Sequence, residues 1–467
     1  MRSRRGGTSV ADMTLTGRDG VARHNAAVAD LVGRYRALPP GTRVRLAKKT
    51  SNLFRFGDAE PTGRLDASAL SSVISVDDTA RTADVQGMTT YEDLVEATLP
   101  HRLMPLVVPQ LKTITLGGAV TGLGIESTSF RHGLPHESVL EMDVLTPEGE
   151  LVTATPDGEH ADLFAGFPNS YGTLGYALRL KIELMPVAPY VHLEHRRVAT
   201  ADLASVITEV CGPDGPDFVD GTVFAPGEQY LTLGRFSEDP GPGVSDYTGQ
   251  QIFYRSVRER TSDVLTVHDY IWRWDTDWFW CSRALGAQHP VVRRFWPHRY
   301  RRSDVYRRIV ALDRRYGFSR FAHRVTRTPQ EEPVIQDVEI PVERLGEFLD
   351  AFHRDIGITP VWLCPLRLRG ERSWPLYPMQ PGELYVNLGF WSAVPETPGQ
   401  PDAHNRRIED LVADLGGHKS LYSTVHYDQA QFWKHYNGPA YRALKERYDP
   451  HGRQPDLYSK VTGSGGA

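Results

Sequence analysis

Between Thr113 and Ser127 the chain carries Gly117, Gly118, Gly122 and Gly124, four glycines within eight residues and with small side chains between them. Without a Cβ, such a run lets a backbone come close to a ligand, and successive N–H groups can cradle a pyrophosphate. A glycine-rich turn inside an apolar core is the alternative, and the segment alone leaves both open. Two common nucleotide sites are excluded. The glycines are not spaced as GxGxxG between a strand and an amphipathic helix, and no Gly-Lys-Ser/Thr closes a P-loop.

Two further segments bear on the choice. Asp162-Leu163-Phe164 precedes a second glycine-rich turn, Asn169 to Tyr176, with Gly172, Thr173 and Gly175, and this turn feeds directly into a strand. Upstream, Lys48, Lys49, Thr50, Ser51 and Asn52 form a loop of cationic and hydroxyl donors. Three donor-rich loops on one lobe suit a long cofactor with two phosphates.

Around these loops short strands alternate with single helices. Apolar Ala27, Val28, Leu31, Val32 and Tyr35 place a helix over His24–Leu38, stopped by Pro39-Pro40. Val44–Leu46 reads as a strand. Val73–Val76 and Thr82–Val85 read as a hairpin turning at Asp77-Asp78, and Tyr91–Leu99 as a helix. Val139–Thr146 and Glu150–Ala154 read as a second hairpin, and Tyr176–Leu184 as a strand. The alternation predicts an α+β class. Pro186 and Pro189 mark a change of composition. The expected organisation is a flexible tail over 1–20, a first lobe over 21–190, a second over 191–420, and a C-terminal segment, 421–467, packing back on the first and ending in a frayed tail.

The order of the loops resembles the FAD domain of the vanillyl-alcohol-oxidase superfamily, also called the PCMH-type FAD-binding domain. More narrowly, the chain is similar to delta-24-sterol reductases and to actinobacterial reductases that convert a 10-methylene fatty acyl chain to the 10-methyl chain of tuberculostearic acid. The motifs are Lys49-Thr50, Thr115 to Ser127 and Tyr171 to Gly175. In the second half they are Gln336-Asp337 with Pro341, Val361 to Pro365, Glu383 to Tyr385, Leu421-Tyr422 and Gln431 to Trp433. The likeness runs from about Arg43 to Lys460. It implies two lobes, an FAD-binding domain and an α/β cap that takes substrate. It also implies that FAD contacts Lys49, Thr50, Ser51, Asn52, Thr115, Leu116, Gly117, Gly118, Gly122, Gly124, Ile125, Glu126, Ser127, Gly172, Thr173 and Gly175, with Glu126 organising the loop. Many members of the superfamily attach FAD to a histidine of the first loop. That loop has none here, so the expected FAD is noncovalent, and His132 and His136 are expected in a loop or the core.

The resemblance further implies reduction of an isolated C=C bond in a lipid with electrons from NADPH. Such an alkene has no carbonyl to accept charge. A proton is added first, giving a tertiary cation, and a hydride follows. The reaction needs an acid and a wall that tolerates positive charge. Burial raises a carboxyl's pKa and keeps its proton available, and the candidate acids are Asp337, Tyr385 and His426. Aromatic faces stabilise cations, and Trp362 and Trp391 are the candidate substrate contacts. For each of these residues core packing is the alternative. Other readings are delta-24-sterol reduction, an alcohol or sugar-acid oxidase of the same fold, and a flavin-binding partner of a lipid methyltransferase without catalysis of its own.

Cys211, Cys281 and Cys364 are far apart and form no CxxC pair, so no metal cage or disulfide framework is expected and a reducing cytoplasm fits. A net charge of -5 offers no general attraction for nucleic acid. Residues 272–308 stand out: Trp272, Trp274, Trp278, Trp280 and Trp296 mingle with or precede Arg293, Arg294, Arg299, Arg301, Arg302, Arg307 and Arg308. Such a mixture favours a lipid headgroup region, and peripheral contact with the inner membrane face is the expectation. A tryptophan core with paired arginines is the alternative.

Overall fold

The strands of this chain fall mainly into two antiparallel sheets, and the cavity of interest lies between the second sheet and the glycine-rich segment of the first lobe. The computed structural model describes residues 17–39, 41–48, 54, 63–316, 331–377 and 379–463.

The first lobe opens with a helix, Gly17–Arg36, that ends just before the two prolines. Its buried stripe of Val28, Leu31 and Tyr35 packs on Val44, Leu65, Leu145 and Leu178. Strands β1 (Val44–Leu46) and β2 (Gly63–Leu65) pair in parallel beneath it. β3 (Val73–Asp77) and β4 (Thr82–Gln86) form the expected hairpin. Its turn is held by the Asp77 carboxylate, which accepts the N–H groups of Thr79 (2.9 Å) and Ala80 (2.8 Å). A helix, Tyr91–Thr98, is capped by Thr90, whose hydroxyl accepts the N–H of Asp93. Then come β5 (Leu103–Pro105), β6 (Val139–Leu145), β7 (Leu151–Ala154) and β8 (Tyr176–Pro186), in the sheet order β3-β4-β8-β6-β7 with β5 on the end of β8. Leu180 and Ile182 of β8 point into the core, and Arg179, on the other face, binds Asp84, Glu141 and Asp143. This is the period of two that a half-buried strand requires.

The chain leaves that sheet at Pro186 and enters the second at Tyr190. The second sheet uses β9 (Tyr190–Val198), β10 (Phe218–Ala225), β11 (Glu228–Ser237), β12 (Ser262–Thr266), β13 (Glu331–Pro341), β14 (Val361–Leu366), β15 (Tyr385–Pro395) and β16 (His418–Lys419). Their order is β12-β9-β11-β10-β14-β15-β13-β16. Both faces are buried. On one, Val334, Val338, Val361 and Leu363 meet apolar residues of the helices Leu203–Val210, Leu345–Asp355 and Ala403–Asp414. On the other, Trp362, Cys364, Leu366 and Tyr385 join the core of the first lobe. Strand parity therefore turns Asp337 and Glu339 toward the first lobe, because Val338 and Ile340 point the other way.

The C-terminal helices Gln429–His435, Gly438–Tyr448 and Leu457–Thr462 pack back onto the first lobe. The Tyr448 hydroxyl reaches Asp162 at 2.8 Å, and the Lys460 ammonium donates to the Tyr171 carbonyl at 2.6 Å.

Within residues 272–308, the first part, Trp272 to Trp280, takes the core reading. Trp272, Trp274, Trp278 and Trp280 are all buried, so they present no face to a bilayer. Arg273 and Arg293 are buried on carboxylates, and Arg302 and Arg308 also form ion pairs. No helix among the described residues is long and apolar enough to cross a membrane.

Candidate cofactor and substrate cleft

The glycine-rich segment, expected as a loop, winds into two turns of helix over Leu116–Gly122. Glycine is a poor helix former, and one local cap and two tertiary contacts override that. The Thr115 hydroxyl caps the helix by accepting the Gly118 N–H at 3.2 Å. The Gly117 N–H donates to the Gly87 carbonyl at 3.0 Å, and a Cβ at Gly117 would lie 2.7 Å from that oxygen. The Tyr171 hydroxyl donates to the Gly122 carbonyl at 2.6 Å.

Gly118, Gly122 and Gly124 border a cavity of about 230 Å³ between the lobes. Lys48 enters the same cavity, 3.4 Å from the Thr115 hydroxyl. Burial holds its ammonium below the usual lysine range, and no carboxylate of the described residues lies within ion-pair distance of it. A half-buried cation set in a cavity in this way calls for an anion. The buried Thr113 hydroxyl, also on the cavity, has no hydrogen-bond partner among the described residues. A bare backbone strip, an unbalanced cation and an orphaned hydroxyl fit a phosphate-bearing cofactor such as FAD.

The second sheet supplies the opposite wall. In the ladder, Asp337 of β13 stands across from Gly389 of β15, and Gly389 across from Trp362 of β14. A Cβ at Gly389 would lie 2.4 Å from the Asp337 carboxylate and 2.6 Å from the Trp391 ring. The missing side chain makes the space both occupy. Burial pushes the Asp337 carboxyl up to about 7, against hydrogen bonds from Asn387 and Tyr422. Glu339, on the same face, is pushed up to about 8, first by burial, with the neighbouring Asp337 charge adding to it against hydrogen bonds from Tyr377 and Ser420. Ser420 lines the cavity and donates its hydroxyl proton to Glu339 at 2.9 Å.

Aromatic rings close the site. Trp391 donates its indole N–H to the Tyr422 oxygen at 2.9 Å, and Trp362 donates to Asp220 at 3.2 Å. Phe279 lies 4.2 Å from the Trp391 ring and 5.5 Å from the Trp362 ring, and Trp278 stacks on Phe54 at 6.0 Å. Trp278 and Phe279 both have left-handed backbone, with φ of 47° and 58°. Bulky residues adopt that conformation at a cost of roughly 1–3 kcal/mol each. Here it aims two consecutive rings at one cavity.

The structure brings some expected residues together and separates others. Thr115, Gly118, Gly122, Gly124, Ile125, Asp337, Trp362 and Trp391 line the cavity. Lys49, Thr50, Ser51 and Asn52 lie outside the described residues. Leu116 is core, and Gly117 faces Gly87. Glu126 and Ser127 turn away from the cavity: Glu126 pairs with Arg273 at 2.8 Å, and the Ser127 hydroxyl meets that of Tyr270 at 3.0 Å. The Gly172–Gly175 turn stands off the cavity, with the Thr173 hydroxyl donating to the Ser170 carbonyl at 2.8 Å and Gly175 against the Leu145 carbonyl. Tyr385 gives its proton to Glu383 at 2.6 Å, away from the cavity, and burial raises its phenol. His426 sits beside Asp402 at 3.7 Å, also away, with burial lowering its imidazole. Neither His132 nor His136 lines the cavity, and the His136 ring packs edge-on to Trp374 at 4.3 Å.

Sequence reasoning passed over Thr113, Trp278, Phe279, Glu339 and Tyr422 as site residues. Strand alternation from Asp337 could have found Glu339. Thr113 opens the glycine-rich segment and Tyr422 belongs to the Leu421-Tyr422 motif, so both were in view without a role, whereas Trp278 and Phe279 reach the cavity through long-range packing.

Comparison with known proteins adds to this geometry. A family profile described as an FAD binding domain matches residues 22–155, the stretch that holds Lys48 and the glycine strip. The Delta(24)-sterol reductase of Arabidopsis thaliana is 25% identical over 437 residues, covering 85% of this chain and 76% of that protein. The Delta(24)-sterol reductase of Homo sapiens is 24% identical over 367 residues, 76% of this chain and 69% of that protein. Cytokinin dehydrogenase 7 of Oryza sativa subsp. japonica is 35% identical over 145 residues, 30% of this chain and 28% of its own length. Profile and sheets together give the two-lobed PCMH-type fold, a mixed helix and strand architecture.

Proposed function

We propose that this chain, an FAD-dependent oxidoreductase, reduces an isolated C=C bond in a lipid with electrons from NADPH, converting a 10-methylene fatty acyl chain to its 10-methyl form. The observation that carries the reading is Asp337, a half-buried carboxyl that lines an aromatic cavity, where desolvation pushes it up to about 7. An oxidase that removes hydride from an alcohol needs a base. A reductase of an unactivated alkene needs an acid.

In this reading Lys48, Thr113, Thr115, Gly118 and Gly122 hold the cofactor's phosphate-bearing part. Bound and reduced, FAD would supply the hydride that completes the second C–H bond, at the branched carbon. Asp337 gives its proton to the terminal methylene carbon: the π pair forms the new C–H bond, and positive charge develops on the branched carbon. Trp362, Trp391 and Phe279 present ring faces to that charge, an interaction of about 0.5–2 kcal/mol each. Asn387 and Tyr422 orient the Asp337 carboxyl, and Trp391 fixes Tyr422 in turn. Ser420 and Glu339 stand next to Asp337 as the neighbouring proton store.

The two sterol reductases, matched over most of their length, support C=C chemistry. A methylene-branched acyl chain and a sterol side chain both give a tertiary cation, so one site chemistry serves either. The test is anaerobic. NADPH should bleach the flavin of the purified protein, and a phospholipid carrying a 10-methylene acyl chain should restore the colour while gaining two mass units. If only a sterol with a Δ24 double bond restores it, the chemistry stands and the substrate changes. If NADPH leaves the flavin oxidised, NADPH is not the direct donor.

A further inference from the structure

A run of 26 residues, from Trp278 to Ser303, contains six arginines and no acidic residue, in a protein whose net charge is -5. Arg293 and Arg301 point inward. The Arg293 guanidinium binds Asp277 at 2.6 Å and the carbonyls of Gly249 and Gln251, and Arg301 binds the carbonyls of Gly249 and Trp296. Arg302 is paired with Glu92. Arg283, Arg294 and Arg299 remain on the exposed side, with no carboxylate of the described residues in ion-pair distance.

The inward anchors decide what faces out. With Arg293 locked against Asp277, the short helix Pro290–Phe295 turns Val291, Val292 and Phe295 to solvent. Phe295 is 77% exposed, Val291 59%, and Tyr300, just beyond the helix, 44%. Four of the nine large hydrophobic residues exposed among the described residues fall within these ten positions. Burying such a cluster is favourable, and a soluble surface rarely keeps one without use. On its inner side the segment rests on the cleft: Trp296 packs on Tyr306 at 5.8 Å between ring centres, and both belong to the cluster of Trp278, Phe54 and Leu111 that also lines the cavity.

We propose that Val291, Val292, Phe295 and Tyr300, flanked by Arg294 and Arg299, form a docking face for the surface of an anionic lipid bilayer, one side-chain layer from the cavity. Apolar side chains enter the acyl boundary while arginines meet anionic headgroups. Charge complementarity selects this occupant: a polycationic rim around apolar side chains, on an otherwise acidic protein, matches anionic lipid. The inference rests on the lipid-substrate reading above, and it moves membrane contact from the buried tryptophans to this rim.

The test uses the full chain with its FAD, floated with phosphatidylcholine vesicles with or without 30% phosphatidylglycerol, a composition of about that proportion, at low and high salt. Binding to the anionic vesicles is expected, weakened several-fold by salt. Val291→Asp with Phe295→Asp should reduce it at least about tenfold, as should Arg294→Glu with Arg299→Glu, with flavin spectrum and turnover of detergent-dispersed substrate unchanged. Failure of the wild-type protein to float with anionic vesicles overturns the proposal, as does binding that both double variants retain. A concentration-dependent dimer abolished by the Val291/Phe295 variant, without vesicle binding, assigns the face to a second copy and overturns it too. Vesicle binding without turnover of any lipid alkene removes the proposed function and leaves the docking face intact.

Discussion

In the proposed reaction Asp337 carries the heaviest chemical demand of any single side chain. Asp337→Asn keeps the volume and removes the proton, so alkene reduction should fall by about two to four orders of magnitude. Flavin content and the rate of flavin bleaching by NADPH should persist, which a stopped-flow comparison checks. The proposed reaction requires the acid form, so the alkene-reducing step should slow as pH rises through about 7. Glu339 makes a separate prediction about stability. Its folded-state pKa of about 8 lies above the ordinary glutamate value of 4.5, so between those pH values the folded chain holds a proton that the unfolded chain has released. That stabilising contribution is fully present below about 4.5 and is lost as pH rises through about 8, at a slope of up to about 1.4 kcal/mol per pH unit. Glu339→Gln cannot titrate. Chemical denaturation from pH 5 to pH 8 should show the variant gaining on the wild type, and a constant difference would refute the assignment.

Elements explain why those carboxyls lie where they do. The strands and hairpins of the first lobe were legible because each is local: apolar alternation in Tyr176–Leu184, the aspartate turn at Asp77, the proline stop after the first helix. The helix at Leu116–Gly122 was not, because glycine content argues for a loop and only Thr115, Gly87 and Tyr171 reverse it. Trp362 and Asp337 could be named from sequence as candidates. Their partnership could not, since it depends on β14, β15 and β13 lying side by side with Gly389 between them. Gly389→Ala tests that arrangement. The added methyl meets the Asp337 carboxylate and the Trp391 ring, so overpacking should cost roughly 1–3 kcal/mol of stability and reduce turnover more than FAD affinity. Unchanged turnover would show that Asp337 does not need the space.

At the scale of the whole molecule the lobes are joined by a buried ionic knot. Arg273 bridges Glu126, at the end of the glycine-rich segment, and Asp220 of the second sheet, each at 2.8 Å, while Asp220 also accepts the indole N–H groups of Trp274 and Trp362. Glu126 was expected to organise a loop near FAD; it organises the joint between the lobes. Arg273→Met would leave two carboxylates buried without their cation, and breaking such a pair costs about 3–5 kcal/mol. A lowered midpoint in thermal unfolding is expected, partly recovered by Glu126→Gln in the same chain. No recovery would mean that the knot is not electrostatic.

The aromatic wall has an optical consequence as well. Trp278, Trp362 and Trp391 line the cavity, and Trp274 and Trp280 pack within 6 Å behind them on Phe279 or Trp391, so five of the nine tryptophans surround one space. A flavin absorbs where tryptophan emits. Its arrival there should darken the protein's ultraviolet fluorescence by energy transfer, and its departure should restore the glow. The protein carries its own gauge of cofactor occupancy, readable without dye or label, and its most sensitive indoles are those that would feel the substrate.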